Sequence, residues 1–180
     1  MNAIVVYESV YGNTRAIAEA IADGLGATVV LPVHEARGHE GTADLLVAGG
    51  PTHVHGLATK RSRHVAVATA QEDGRSHLEP PATEEPGLRT WLRDLSPAAA
   101  HHAATFDTRL HKSPWLSGMA ARGIARRLRR LGIDVIATES FLVKDTEGPL
   151  EAGELERARA WGAELAHSLP ESKKLGATQL

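Results

Sequence analysis

Short, uninterrupted apolar runs alternate along this chain with segments whose apolar residues recur every third or fourth position. The first run, Ala3-Ile4-Val5-Val6-Tyr7, is brief, largely β-branched and without polar interruption, the pattern of a strand buried on both faces as in a parallel sheet. It breaks at Ser9-Val10-Tyr11-Gly12-Asn13-Thr14. Beyond it Ile17, Ala20, Ile21 and Leu25 fall at helical spacing, with Arg15, Glu19 and Asp23 on the opposite side. The spacing predicts a strand, a loop and an amphipathic helix, with Gly24 and Gly26 as its stop signals and a second strand over Ala27 to Leu31. A third apolar run, Ala43 to Gly49, enters another loop of small residues, Gly49 to Gly56.

The middle third is less regular. Ala58 to Ala70 reads as a weak helix. Gln71 to Gly87 reads as a surface loop, because prolines 80, 81 and 86 and several acids stand in it. A short helix is expected over Leu88 to Leu95 around Trp91, and the alanine-rich stretch Ala98 to Ala104 leads to a fourth strand near Ala104 to Leu110. The rhythm then returns. Ile124, Leu128 and Leu131 share one face of an arginine-rich helix stopped by Gly132, and Val135 to Val143 forms the fifth strand. Leu155, Ala158, Gly162, Leu165 and Leu169 mark the inner face of a closing helix. Alternating strands and helices with right-handed crossovers predict a three-layer α/β fold around a doubly wound parallel sheet. A single domain over residues 1–170 and a frayed polar tail over 171–180 are expected.

Composition narrows this picture. A chain of 180 residues suits one domain with a sizeable core. It has no cysteine, which removes disulfides, thiolate catalysis and thiolate metal sites. The apolar runs are far short of the roughly 20 residues that span a bilayer, and no basic leader precedes the first of them. A cytoplasmic protein without membrane or nucleic-acid partners is expected. The net charge of −2 exerts no global pull on nucleic acid, although ten histidines would add positive charge below about pH 6.5.

The chemistry concentrates in the first loop. A helix N-terminus exposes unpaired N–H groups and the positive end of the peptide dipoles, so it holds an anion without lysine or arginine. Gly12 lets the backbone approach closely. Ser9 and Thr14 add hydroxyls, and Asn13 can donate from its amide or take a left-handed conformation. Ser9 to Thr14 thus has the makings of a neutral phosphate cage. The same residues would also serve as a well-capped turn.

With these residues in view, the chain resembles the flavodoxin family over roughly Ala3 to Leu169, closest to its short-chain form. In that family a Thr/Ser-x-x-Gly-Asn-Thr loop after the first strand binds the FMN phosphate, and a Pro-Thr loop after the third covers the isoalloxazine. The matching residues are Ser9-Val10-Tyr11-Gly12-Asn13-Thr14 and Pro51-Thr52-His53-Val54-His55-Gly56. The resemblance implies a five-stranded parallel sheet of order 2-1-3-4-5, whose first and third strands flank the ligand crevice. It implies FMN as cofactor, electron transfer or flavin reductase activity, and a redox protein or a nicotinamide or quinone molecule as partner. The family's aromatic after Pro-Thr is His53 here, and its loop after strand four is replaced by His111 to Gly118, where Trp115 could stack on the ring and Lys112 could bring a positive charge. The competing class on the same residues is an interaction or regulatory module that keeps the fold with weak or no flavin binding.

Other constellations carry less. His53 and His55, with His101 and His102, lack the carboxylate or thiolate that would complete a metal shell. No Gly-x-Gly-x-x-Gly or P-loop follows the first strand. A phosphoacceptor site needs clustered acids where only Glu8 stands. Arginines 122, 126, 127, 129 and 130 form the one strong basic cluster, either a solvated surface or a docking patch for an anionic partner.

Overall fold

The computed structural model describes residues 2–26, 29–39, 41, 43–53, 56–57, 78, 85–111 and 119–169. Along the chain run β1 (Ala3–Tyr7), α1 (Asn13–Leu25), β2 (Val29–Pro32), β3 (Ala43–His53), β4 (Gly56–Leu57), α2 (Leu88–Asp94), β5 (Ala100–Leu110), α3 (Ala120–Arg130), β6 (Asp134–Val143) and α4 (Glu154–Ser168). The strands lie in the order β2-β1-β3-β5-β6, all pairs parallel. The two-residue β4 pairs antiparallel with the end of β3. Counting only the five parallel strands, this is the expected order 2-1-3-4-5.

Position in the sheet explains the apolar runs. β1 lies between β2 and β3, so each of its five residues is buried. Each sheet face then carries its own core. Val5, Leu45, Val47 and Phe106 pack against α1 and α4, through Ile17, Ile21, Trp161 and Leu165. Ile4, Val6, Leu46 and Ala103 pack against α2 and α3, through Trp91, Leu92, Ile124 and Leu128. The result is three layers, α1 and α4 on one side and α2 and α3 on the other.

Several elements differ from expectation. Gly24 does not end α1; it lies inside the helix, and Gly26, at φ +69°, is the terminus. Gly24 instead faces α4, where an added Cβ would collide with the Arg159 carbonyl oxygen; a Cβ on Gly162 would collide with the Ile21 carbonyl. The two glycines let the helices cross backbone to backbone. Leu155 is not on the inner face of α4 but 40% exposed, and Trp161, at 9%, takes that place with its ring edge-on to Phe141 at 6.1 Å. β3 continues through Gly49 to His53 and turns back through β4, because β5 pairs with it as far as Pro51. The fourth parallel strand starts at Ala100 rather than Ala104.

β6 is an edge strand, and the chain after it covers the exposed edge. Lys144 N donates to Pro149 O (2.9 Å) and Glu151 N to Leu142 O (2.9 Å). The buried Glu154 carboxylate accepts from Leu142 N at 2.7 Å. The weak helix expected over Ala58 to Ala70, residues Val54, His55, Lys112 and Trp115, the His53 side chain and the tail over 171–180 lie outside the described residues.

Candidate functional site

The carboxyl ends of β1, β3 and β5 meet where the chain reverses direction across the sheet, the position at which such folds open a crevice. A cleft partly open to solvent occupies it. The β1–α1 loop forms one wall with Val10, Tyr11, Asn13 and Thr14. Pro51 and Thr52 form a second, and Thr108, Arg109 and Leu110 of β5 form the floor, with Val143 and Thr146 closing the far side.

The loop is held by its own small residues. Gly12 adopts φ +83° at the N-cap of α1, a left-handed conformation that a side chain would strain. Its N–H donates to Ser9 Oγ at 3.1 Å, and its carbonyl accepts the first helical bond, from Ala16 N at 2.9 Å. The Ser9 hydroxyl therefore keeps its proton for another acceptor. Thr14 Oγ1 lies 2.7 Å from Thr108 Oγ1 in a buried pair. Two hydroxyls share one bond, so one of their protons remains to donate.

Asn13 takes a different part from the one its motif position implies. Its Nδ2 donates to Glu147 O at 2.9 Å, and Gly148, at φ +104°, passes so close beneath that an added Cβ would stand 2.6 Å from both terminal amide atoms. Asn13 braces the β6–α4 connection against the β1–α1 loop. Tyr11, beside the same connection, has its hydroxyl pKa raised by burial and then by the Glu147 charge.

The helix N-termini at this edge of the sheet divide into two kinds. α2 starts on a carboxylate, since Leu88 N donates to buried Glu8 Oε2 at 2.7 Å. α3 also starts on one: Ala121 N donates to Asp107 Oδ2 at 2.9 Å. α4 carries Glu154 and Glu156 in its first turn. α1 has no acidic residue in its first turn and no side-chain cap.

Asp107 also joins two walls of the cleft. Thr52 Oγ1 donates to Asp107 Oδ2 (3.1 Å) and accepts from Ala120 N (3.0 Å). The carboxylate is fully buried, and that burial raises its pKa against the lowering pull of Ala121 N–H, Ser140, Thr52 and the Arg109 charge. Ser140 is its register partner on β6, but the Ser140 hydroxyl and Asp107 Oδ1 fall outside hydrogen-bond geometry.

Of the residues singled out in the sequence, Val10, Tyr11, Asn13, Thr14, Pro51 and Thr52 line one cleft, with Ser9 and Gly12 supporting the loop. Thr108, Arg109, Val143 and Thr146 were not among them. The available signal is Thr105 to Arg109, where polar residues interrupt a central strand that should read as apolar. No group of three or more His, Asp and Glu residues that could hold a metal occurs among the described residues. None of the described helices is long and apolar enough to cross a membrane.

No protein-family model matches the chain, and no curated protein sequence does. Solved structures do. A flavodoxin from the domain Archaea superposes at 20% identity and TM-score 0.55, covering 94% of this chain and 99% of that one. Oxidised Flavodoxin 1 from Bacillus cereus gives 14% and 0.58, over 94% and 100%. A Fusobacterium nucleatum flavodoxin bound to flavin mononucleotide gives 12% and 0.56, over 94% and 100%. The chain has the flavodoxin-like α/β fold.

Proposed function

We propose that the protein binds FMN, with the phosphate in the β1–α1 loop, and acts in electron transfer as a small carrier or as a reductase of quinone-like acceptors. The observation that carries this reading is the contrast among helix N-termini. Glu8, Asp107 and the α4 acids place carboxylates at three of them, whereas α1 has no acidic residue in its first turn and no side-chain cap, and it opens onto the cleft. An anion is what that end of the helix is suited to receive.

The residues fit the group. The Ser9 hydroxyl and the Thr14–Thr108 pair each retain a proton to donate, and Gly12 admits the ester closely without side-chain bulk. Asn13 orients the loop through Glu147. Pro51 to Gly56 would flank the ring, with Thr52 fixed from behind by Asp107 and α3; Lys112 and Trp115 are further candidates for that side. When bound, the flavin supplies the redox chemistry, and the protein anchors and orients it and restricts water. Partners of the reading are a redox protein or a nicotinamide or quinone molecule.

The test is the absorption spectrum of the purified protein, followed by FMN titration. A yellow protein, or a colourless one that quenches FMN fluorescence saturably, supports the reading. A colourless protein that leaves FMN fluorescence unchanged supports the alternative interaction module, for which His53 in place of the family's aromatic is the motivating feature.

A further inference from the structure

The sequence shows arginines scattered around α3; the fold sets part of that set opposite a second one. Arg89 and Arg93 stand one helical turn apart on α2, and Arg127 and Arg130 stand about one turn apart on α3. The four line an open groove between the helices, with Leu92 and Leu131 among its apolar residues. Arg127 has its pKa lowered by burial and then by the charges of Arg89, Arg130 and Arg126. Among the described residues counter-charge is scarce. Asp94 is the one acid in ion-pair contact with this set among the described residues, and Arg93 shares it with Arg37. Arg89 donates to the Leu57 carbonyl.

We propose that the α2–α3 groove is a docking site for an acidic segment of a partner protein, its carboxylates bound between the two arginine rows. The chemistry of the groove selects among anions. The rows spread charge along two helices, which suits several spaced carboxylates better than one compact phosphate. The tryptophan of α2, Trp91, is 1% exposed and offers the groove no face for base stacking. This site faces away from the α1–α4 layer and does not depend on the FMN reading.

The test is fluorescence anisotropy of a dye-labelled oligoglutamate peptide with the full chain, at low and at moderate salt. The wild type binds the peptide, and binding weakens with salt as exposed charges are screened over about 10 Å at 0.1 M. The double variant Arg127→Glu, Arg130→Glu loses at least about ten-fold in affinity. Arg159→Glu, a charge reversal on α4, stays within about two-fold. Circular dichroism checks folding, and Arg127→Gln, Arg130→Gln provides a milder pair with a smaller loss in the same direction. No peptide binding at low salt, an equal loss in Arg159→Glu, or tighter binding of pyrophosphate or a thymidine oligonucleotide would each overturn the proposal.

Discussion

The hydroxyls of Thr14 and Thr108, 94 residues apart in sequence, lie 2.7 Å from each other in the interior. One belongs to the first turn of α1 and the other to β5, so the bond ties the proposed anion loop to the floor of the cleft. Thr14→Val leaves Thr108 with a buried, unpartnered hydroxyl and should cost about 1–3 kcal/mol of stability. Thr14→Val, Thr108→Val should cost less than the sum of the single variants, because the second change removes the orphaned group. Urea unfolding of the flavin-free protein measures the cycle; additive losses would show that the two groups do not act together.

Gly12 at φ +83° should not tolerate a side chain. Gly12→Ala is expected to lower stability by about 1–2 kcal/mol through left-handed strain and to weaken FMN binding further, since a methyl then stands at the anion loop. Unfolding and FMN titration on the same variant separate the two effects; a variant as stable and as tight as the wild type would contradict both.

Asp107 links stability to pH. Burial raises its folded pKa above the ordinary 3.8, so between that value and the raised one the folded state holds more protons than the unfolded state. Stability from this group therefore falls as pH rises through that window. Asp107→Asn keeps an oxygen for Ala121 N and Thr52 while removing the ionisation, so its stability relative to wild type should improve as pH rises from about 4. Urea midpoints for both proteins across pH 4 to 7 check the sign, and a relative stability that moves the other way would show the charged form to be the favoured one. Asp107→Leu removes both hydrogen bonds and is expected to destabilise by about 1–3 kcal/mol.

Gly24 and Gly162 meet where α1 and α4 cross. Gly24→Ala or Gly162→Ala puts a Cβ against a carbonyl oxygen of the opposite helix and should cost about 1–3 kcal/mol as overpacking does. Gly26→Ala, at the open end of α1 where nothing lies within 4 Å of the added atom, meets only the strain of its positive φ. Thermal unfolding of the three variants tests this; equal behaviour of all three would mean that the crossing relaxes freely.

What the sequence discloses follows from how local each signal is. The strand, loop and helix from Ala3 to Leu25 can be read residue by residue, because burial on both faces of β1 demands an unbroken apolar run and α1 buries a single stripe. Glycine is ambiguous: Gly24 reads as a stop, yet it serves a neighbour more than 130 positions away, and no local pattern contains that neighbour. Leu155 shows the same weakness, since its spacing suits the inner face while Trp161 fills the space beside Phe141. The β1–α1 loop is legible from Ser9, Gly12 and Thr14, but its partners are not. Thr108, Glu147 and Asp107 enter the site through strand register and a distant turn. Asp107 in the middle of β5 is the residue that marks, by polarity alone, that the strand does more than pack.

The central claim is that the mouth of the β1–α1 loop holds a phosphate ester. Titrating flavin-free protein with FMN and with riboflavin, which lacks only that phosphate, measures its contribution directly. FMN is expected to bind tighter by at least about a hundred-fold, near 2.7 kcal/mol, with the difference shrinking in Thr14→Val. Equal affinity for the two flavins would contradict it.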